Sequence, residues 1–509
     1  MPESPIVVNP DRLSALDSSF LDLERDAAHM HVAAVMVLEG QPPAHGELVG
    51  AVASRLRLVP RYRQRLAFVP LRQGRPVWVD DPYFNVAFHI RHTALPRPGT
   101  EAELARLAGR VFSQTLDRSR PLWELWLVEG LRDGRFALLS KAHHALVDGV
   151  SGVDIASVLL DPDPDAPPPA GDGDWLPRPP PSGAQLLADA LLERLTAPAE
   201  IARAARDALT APRRVAMRVV EALDGVGALA RVGLSPAPPS PFNVRIGPHR
   251  RFTWVTCSLD ELREIRHALG GTVNDAVLAV VAGALGRYLR RRGPLAQDRV
   301  LRAMVPVSTR AGDERGAPGN RISAIWVPLP VGIQSPVARL AAVRRQTDSI
   351  KRSGQAVGAQ VLARLGGFAP PTILARAARL QAHQRLFNLV VTNVPGPQAP
   401  LYLLGRRLQA VHPMVPLAVN QALGIAVMSY CGLMSFGLNA DYDALPDLPL
   451  LASDLREAIA ELVQAARALD DGDARALDDR GTPAPAVAAK RPPAAGRPRS
   501  RRTAGARSA

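Results

Sequence analysis

Two series of apolar, strand-like runs are set among helical stretches along the chain. HVAAVMVLEG and RFALLSKAHH belong to the first, which ends near Leu160. FTWVTCSL, LRAMVPV, ISAIWVPLPV and LFNLVVTNV belong to the second, between Phe242 and Leu469. One helix is marked at its start, where Thr100 and Glu103 have capping-box spacing and Leu104, Leu107, Val111 and Phe112 fall on one face. From Asp161 to Ser182 the stretch DPDPDAPPPAGDGDWLPRPPPS is too rich in proline and acid to pack, and reads as an exposed linker. Ala-, Leu- and Arg-rich sequence follows to Leu234, broken at Pro198 and Pro212, and predicts two or three short helices of nearly balanced charge. The expected division is an N-terminal α/β domain over 1–160, a linker and helical connector over 161–241, a second α/β domain over 242–469 and a disordered tail over 470–509.

Val411 to Ala440 contains no Lys, Arg, Asp or Glu and is long enough to cross a bilayer. It also holds Pro413, Pro416, Asn420, Gln421, Gly424 and Gly432, backbone breakers and amides that are costly in lipid. The better reading is two buried strands, LGIAVMSYCG and LMSFGLNA, joined by a turn at Cys431 and Gly432.

At 509 residues the chain is long enough for two cores, and 47% hydrophobic with 22% charged residues is a globular composition. The net charge is +14, half of it from Lys490, Arg491, Arg497, Arg499, Arg501, Arg502 and Arg507 in the tail. A moderately basic body suits an anionic surface; a Pro-Ala-Arg tail without interleaved aromatics argues against specific nucleic-acid recognition. Cys257 and Cys431 form no CxxC pattern, so neither a disulfide framework nor a cysteine metal site is expected, and the compartment is expected to be reducing. The first residues, MPESPIVVNPDRLSALD, lack a basic segment followed by an apolar one, so a cytoplasmic location is expected.

The most informative stretch is FALLSKAHHALVDGVSGVDIASVLL, in which a strand delivers His143 and His144 to a turn closed by Asp148 and Gly149. Ser151 and Asp154 have capping-box spacing for the helix that follows. Neighbours on a strand point to opposite faces, so only one of the two histidines should enter an active site. HHALVDG resembles the HHxxxDG motif of the acyltransferase superfamily that includes chloramphenicol acetyltransferase and peptide-synthetase condensation domains. The flanking stretches LDSSFLDLERDAAHMHVAAVMVLEG, RSRPLWELWLVEGL, GTVNDAVLAVVAGALGRYL, VPVSTR, GNRIS, NVPGP and SYCG narrow the resemblance. In similar order they occur in bacterial wax ester synthase/acyl-CoA:diacylglycerol acyltransferases, and the likeness runs from about Leu13 to Ala465.

The resemblance implies two chloramphenicol-acetyltransferase-like domains, mixed sheets flanked by helices, meeting at a substrate tunnel. It implies transfer of a long-chain acyl group from acyl-CoA to diacylglycerol or a fatty alcohol, on a membrane or lipid-droplet surface. The alternative is a non-catalytic lipid or acyl-CoA binding protein of the same fold. His144 would be the general base, a role worth roughly 10² to 10⁴ in rate, with His143 beside it. In similar enzymes the Asp at position 148 pairs with an arginine and fixes the loop; Arg63 in YRQRL is the candidate partner, with Arg61 and Arg65 as rivals. Gly149 supplies shape. Asn274 and Asp275 match the family's ND motif and are oxyanion candidates, although Thr272 and Asp275 also have capping-box spacing. Pro121, Leu122 and Trp123 pack the core or line the acyl channel. NVPGP, Asn393 to Pro397, reads as a turn that shapes the tunnel. Arg310 contacts coenzyme A phosphates or lies on the surface. No GxSxG elbow or phosphate-binding loop is present, so neither a covalent intermediate nor a cofactor beyond the acyl-CoA substrate is expected.

Overall fold

Strand-forming runs with apolar residues on both faces require cover on both sides, and here they assemble into two six-stranded mixed sheets. The computed structural model describes residues 11–25, 27–147, 158–167, 175–193, 236–308, 322–352 and 386–481. In the N-terminal half these are α1 (Ala15–Leu23), β1 (His31–Glu39), α2 (His45–Arg55), β2 (Gln64–Ala67), β3 (Val77–Asp80), α3 (Val86–His89) and β4 (Ile90–Ala94). α4 (Glu101–Ser113), β5 (Trp123–Leu131) and β6 (Arg135–His143) complete it. The second half contains β7 (Arg250–Ser258), α5 (Leu259–Leu269), α6 (Val273–Arg290), β8 (Leu301–Ser308), β9 (Ile322–Leu329) and α7 (Pro336–Arg352). It ends with β10 (Leu389–Pro395), β11 (Tyr402–Leu403), β12 (Arg406–Met414), β13 (Leu423–Tyr430), β14 (Leu433–Asp441) and α8 (Leu448–Gly481). The capping box of Thr100 and Glu103 opens α4 as expected.

The first sheet has the order β11-β12-β1-β6-β5-β4 and the second β7-β14-β13-β10-β8-β9. Two strands of the first sheet therefore come from the second half of the chain. β12 runs antiparallel to β1, with Ala33 opposite Met414 and Val37 opposite Ala410. Where β12 crosses β14, Gly437 is required: a Cβ there would sit 1.8 Å from the Pro413 carbonyl oxygen. The halves meet again at α4 and β7, where Phe112 and Phe252 pack edge to face at 5.3 Å and the Arg250 amide donates to Ser113 Oγ at 2.8 Å.

The charge-free segment forms no membrane helix. Its first residues finish β12, and the rest makes the antiparallel pair β13 and β14 around a turn in which Cys431 and Gly432 both have positive φ. Among the described residues no single helix is long and apolar enough to cross a membrane. Most of α6 is buried, sharing a core with α8 and the second sheet.

Two boundaries differ from the sequence reading. The described linker residues are mostly exposed but anchored: Asp161 exchanges backbone hydrogen bonds with Tyr402 and pairs with Arg55 at 2.6 Å, and Arg178 pairs with Asp80 at 3.2 Å. The helix over 183–193 then packs Leu186 and Ala190 against Val69, Val77 and Val79, so the start of the connector belongs to the N-terminal core. At the other end α8 continues to Gly481, into the stretch assigned to a disordered tail. Ala, Leu and Arg among its acids are good helix formers, and a helix already docked upstream needs no new nucleus to extend. The remaining connector residues, 194–235, and the tail beyond Gly481 lie outside the described residues.

Candidate active site

β6 is a central strand, flanked by β1 and β5, and it ends by presenting His143 and His144 to two different environments. Below them Lys141 is fully buried, its ammonium donating to the carbonyls of Val111 and Gln114 (3.1 Å each) and lying 3.3 Å from Glu124. A cation at the last carbonyls of α4 locks that helix to the strand.

His143 turns into the N-terminal domain and is buried. The Ala145 amide donates to its Nδ1 at 3.0 Å, so the ring proton belongs on Nε2, which lies 3.2 Å from Glu24 Oε2. Glu24 is shared: its other oxygen is 3.4 Å from His31 Nε2, and Arg118 Nη2 approaches Oε2 at 2.5 Å. Burial alone would raise the Glu24 pKa, but the imidazoles of His143 and His31 close against it, with Arg118 behind them, hold it far below the usual carboxylate range. Burial pushes His31 down to about 4, against the opposing pull of Glu24. The backbone amide of His143 donates to the Leu122 carbonyl at 2.9 Å, so the PLW segment supports the histidine pair through the main chain.

His144 turns the other way. Its amide donates to the Met30 carbonyl at 2.8 Å, and its imidazole stacks on Phe20 with ring centroids 3.9 Å apart and planes 20° from parallel. Met30 belongs to the core that continues into the second half of the chain, and Phe20 packs against that core. His144 therefore stands at the seam of the two halves. Its Nδ1 is buried without a hydrogen bond to another residue among those described. Burial pushes the imidazole down to about 4; contact with its own backbone works the other way, and His143 adds to the depression. At neutral pH the ring is an uncharged base.

Asp275 caps α6: its carboxylate accepts from the Thr272 amide (2.9 Å) and hydroxyl (2.7 Å), and its other oxygen accepts from Thr347 Oγ1 at 2.8 Å. Those bonds realise the capping reading of its spacing. Asn274 is partly exposed, and its Oδ1 accepts from Asn393 Nδ2 at 3.4 Å, which joins the ND and NVPGP segments. Pro121, Leu122 and Trp123 are buried; the Trp123 indole donates to the Tyr62 carbonyl at 2.8 Å and its ring stacks on His89 at 4.6 Å. Arg63 is buried with its guanidinium 5.1 Å over the Trp175 ring. Asp148, Gly149 and Arg310 lie outside the described residues. Sequence reasoning missed Glu24, His31, Arg118 and Phe20. All four stand in the quoted flanking stretches, but their meeting behind and beside the histidine pair depends on tertiary structure.

The wax ester synthase/diacylglycerol acyltransferase catalytic domain matches residues 13–277, and the WS/DGAT C-terminal domain matches residues 318–463. The chain belongs to the wax ester synthase/diacylglycerol acyltransferase family. Within this family it is 32% identical over 467 residues to the probable diacylglycerol O-acyltransferase tgs1 of Mycobacterium tuberculosis, covering 89% of this chain and 96% of that one. To tgs2 of the same organism it is 36% identical over 472 residues, covering 89% and 99%. The wax ester synthase/diacylglycerol acyltransferase of Marinobacter aquaeolei VT8 superposes with a TM-score of 0.62 at 30% identity, over 89% of this chain and 99% of that one. The starter condensation domain of rhizomide synthetase shares the fold, with a TM-score of 0.55 at 16% identity over 90% and 94% of the two chains. The expected two-domain α/β fold is thus borne out. The catalytic-domain match spans HHALVDG and supports an acyltransferase of this family, not the non-catalytic alternative.

Proposed function

We propose that the protein moves a long-chain fatty acyl group from acyl-CoA to the hydroxyl of diacylglycerol, or of a long-chain alcohol, with His144 as general base. The observation that carries this is the setting of His144: an uncharged imidazole at the seam between the halves, held against Phe20 with its Nδ1 unengaged by other residues. In this reading a tunnel along the seam admits both substrates. His144 takes the hydroxyl proton as the oxygen attacks the thioester carbon, the tetrahedral oxyanion forms, and the carbon–sulfur bond then breaks. The imidazolium returns its proton to the departing thiolate, giving ester and free coenzyme A with no covalent enzyme intermediate. Asn274, at the exposed edge of the α6 cap, is the candidate donor to the oxyanion, while Asp275 holds the cap. Glu24 and His143 keep the turn in place.

Lipid acceptors require contact with a lipid surface. Phe68 and Leu71 are exposed on the segment joining β2 to β3, beside exposed Arg72, and Leu191 is exposed on the helix packed against it. Apolar and basic residues together favour peripheral association with a membrane or lipid droplet, tested by flotation with anionic liposomes and its loss in Phe68→Ser/Leu71→Ser.

The activity is tested by thiol release from palmitoyl-CoA with dioleoylglycerol or hexadecanol as acceptor. Acceptor-dependent release that vanishes in His144→Ala and survives in part in His143→Ala supports the assignment, and the preferred acceptor names the reaction. A folded wild type that binds palmitoyl-CoA but releases no thiol with either acceptor overturns it.

A further inference from the structure

The C-terminal end of α6 carries four arginines, and three of them are paired. Arg287 meets Glu457 at 3.0 Å and also Glu461, Arg291 meets Asp454, and Arg292 meets Asp447 at 3.0 Å. Cations at a helix C-terminus answer its dipole, and these pairs tie α6 to α8 and the turn before it. Arg290 stands outside that scheme. It makes no ion pair among the described residues, and its Nη1 is buried without a hydrogen bond.

Beside it lies Arg339, from the first turns of α7, which is 1% exposed. Its Nε donates to the Ala279 carbonyl at 3.0 Å, and its Nη1 donates to the carbonyls of Ile333 (3.1 Å) and Gln334 (2.9 Å). Its Nη2 has no hydrogen bond, and Glu461, at 3.9 Å, is already engaged with Arg287. Gly283 makes room for this guanidinium, since a Cβ there would come within 2.7 Å of Nη2.

Arg287, Arg290, Arg291, Arg339 and Gln334 line a cavity of about 430 Å³ whose only acids are Asp454 and Glu461. With Glu457, which meets Arg287 outside this lining, four guanidinium groups stand against three carboxylates. Burial lowers the pKa of Arg290 and Arg339, with Arg287 acting in the same direction and Glu461 against it on each, and burial raises that of Asp454 against the pull of Arg291. Buried, uncompensated positive charge is costly, and guanidinium forks match phosphate oxygens closely.

We infer that this cavity, between the C-terminal end of α6, the start of α7 and the face of α8, binds a phosphate-bearing anion. The site is separate from the acyl-transfer centre: Arg290 stands sixteen residues after Asn274 along α6, roughly 24 Å along the helix. The inference does not depend on the acyl-transfer reading. The phosphate comes from a free anion or from an anionic lipid headgroup.

The test uses the whole protein, with inorganic pyrophosphate in one arm and phosphatidylglycerol vesicles in the other, against chloride and phosphatidylcholine controls at equal ionic strength. Arg290→Gln is the main variant because Arg290 is only partly buried, and Arg263→Gln, an exposed arginine on α5, matches its change in net charge. The expected result is a saturable rise in melting temperature with pyrophosphate, at an affinity about tenfold or more weaker in Arg290→Gln and unchanged in Arg263→Gln. Pyrophosphate binding alone identifies a free anion as the source. Vesicle binding that depends on Arg290 identifies a headgroup. No saturable response to either probe, or an equal loss in both variants, overturns the inference. Circular dichroism of Arg290→Gln separates loss of binding from loss of fold.

Discussion

The carboxylate of Glu24 lies 3.2 Å from Nε2 of His143, while the Ala145 amide donates to Nδ1 across the same ring at 3.0 Å. His143 is thereby fixed in one tautomer, and its backbone holds the first residue of the turn that aims His144. Glu24→Gln keeps the shape but removes the charge shared by His143, His31 and Arg118. The expected outcome is a fall in kcat of about ten- to a hundredfold with KM within about twofold, because misplacing a base costs rate more than binding. Steady-state kinetics check this. An unchanged kcat in a folded variant would remove Glu24 from the positioning role.

The stacking of His144 on Phe20 predicts an unusual pH profile. Burial pushes this imidazole down to about 4, so kcat/KM should stay level as pH falls from 8 to about 5, past the ordinary histidine value of about 6.5. Phe20→Ala opens the ring to water, which favours the charged form. The acid limb then moves to higher pH, toward 6.5. A wild-type profile already falling at pH 6.5, with the fold intact, would contradict the assignment.

Stability should follow pH in its own way. Burial lowers His31 to about 4 and His412 to about 3, the latter stacked on Trp254 at 4.3 Å with its Nδ1 2.7 Å from Ser435 Oγ. Both folded values lie below the unfolded value of about 6.5, so the unfolded chain binds more protons and stability is lost as pH falls below that value. The melting temperature should be level above pH 7 and decline from about 6.5 downward. His412→Phe, which keeps the stacked ring, should start lower and decline less steeply; an identical slope would show that His412 contributes nothing to it.

The adjacent residues of the ND segment should respond differently. Asp275→Ala removes the cap of α6 and the partner of Thr347, costing about 1 to 2 kcal/mol of stability in urea denaturation with little change in kcat. Asn274→Ala should leave stability nearly unchanged and lower kcat by roughly 10². If the two variants exchange these effects, the roles are reversed.

The two α/β halves, the helix start at Thr100, the cap at Thr272 and Asp275, and the strand ending at His143 and His144 were all legible in the sequence, because each rests on local periodicity or capping chemistry. So was the opposed orientation of the two histidines, which follows from the two-residue repeat of a strand. The origin of the first sheet's outer strands was not legible. β12 has no local feature that distinguishes pairing with β1 from pairing within its own half; the choice is made by the free edge of β1 and the close crossing at Gly437. Nor was the Glu24 cluster, which draws its members from α1's C-cap, β1, the loop after α4 and β6. The sequence by itself singled out a histidine pair of which one member should face an active site, since that rests on local pattern and intrinsic chemistry, and its resemblance to the HHxxxDG acyltransferases made His144 the candidate base. Tertiary structure decided how that base is buried, stacked and supported, because burial and electrostatic coupling arise only when distant segments exclude water together.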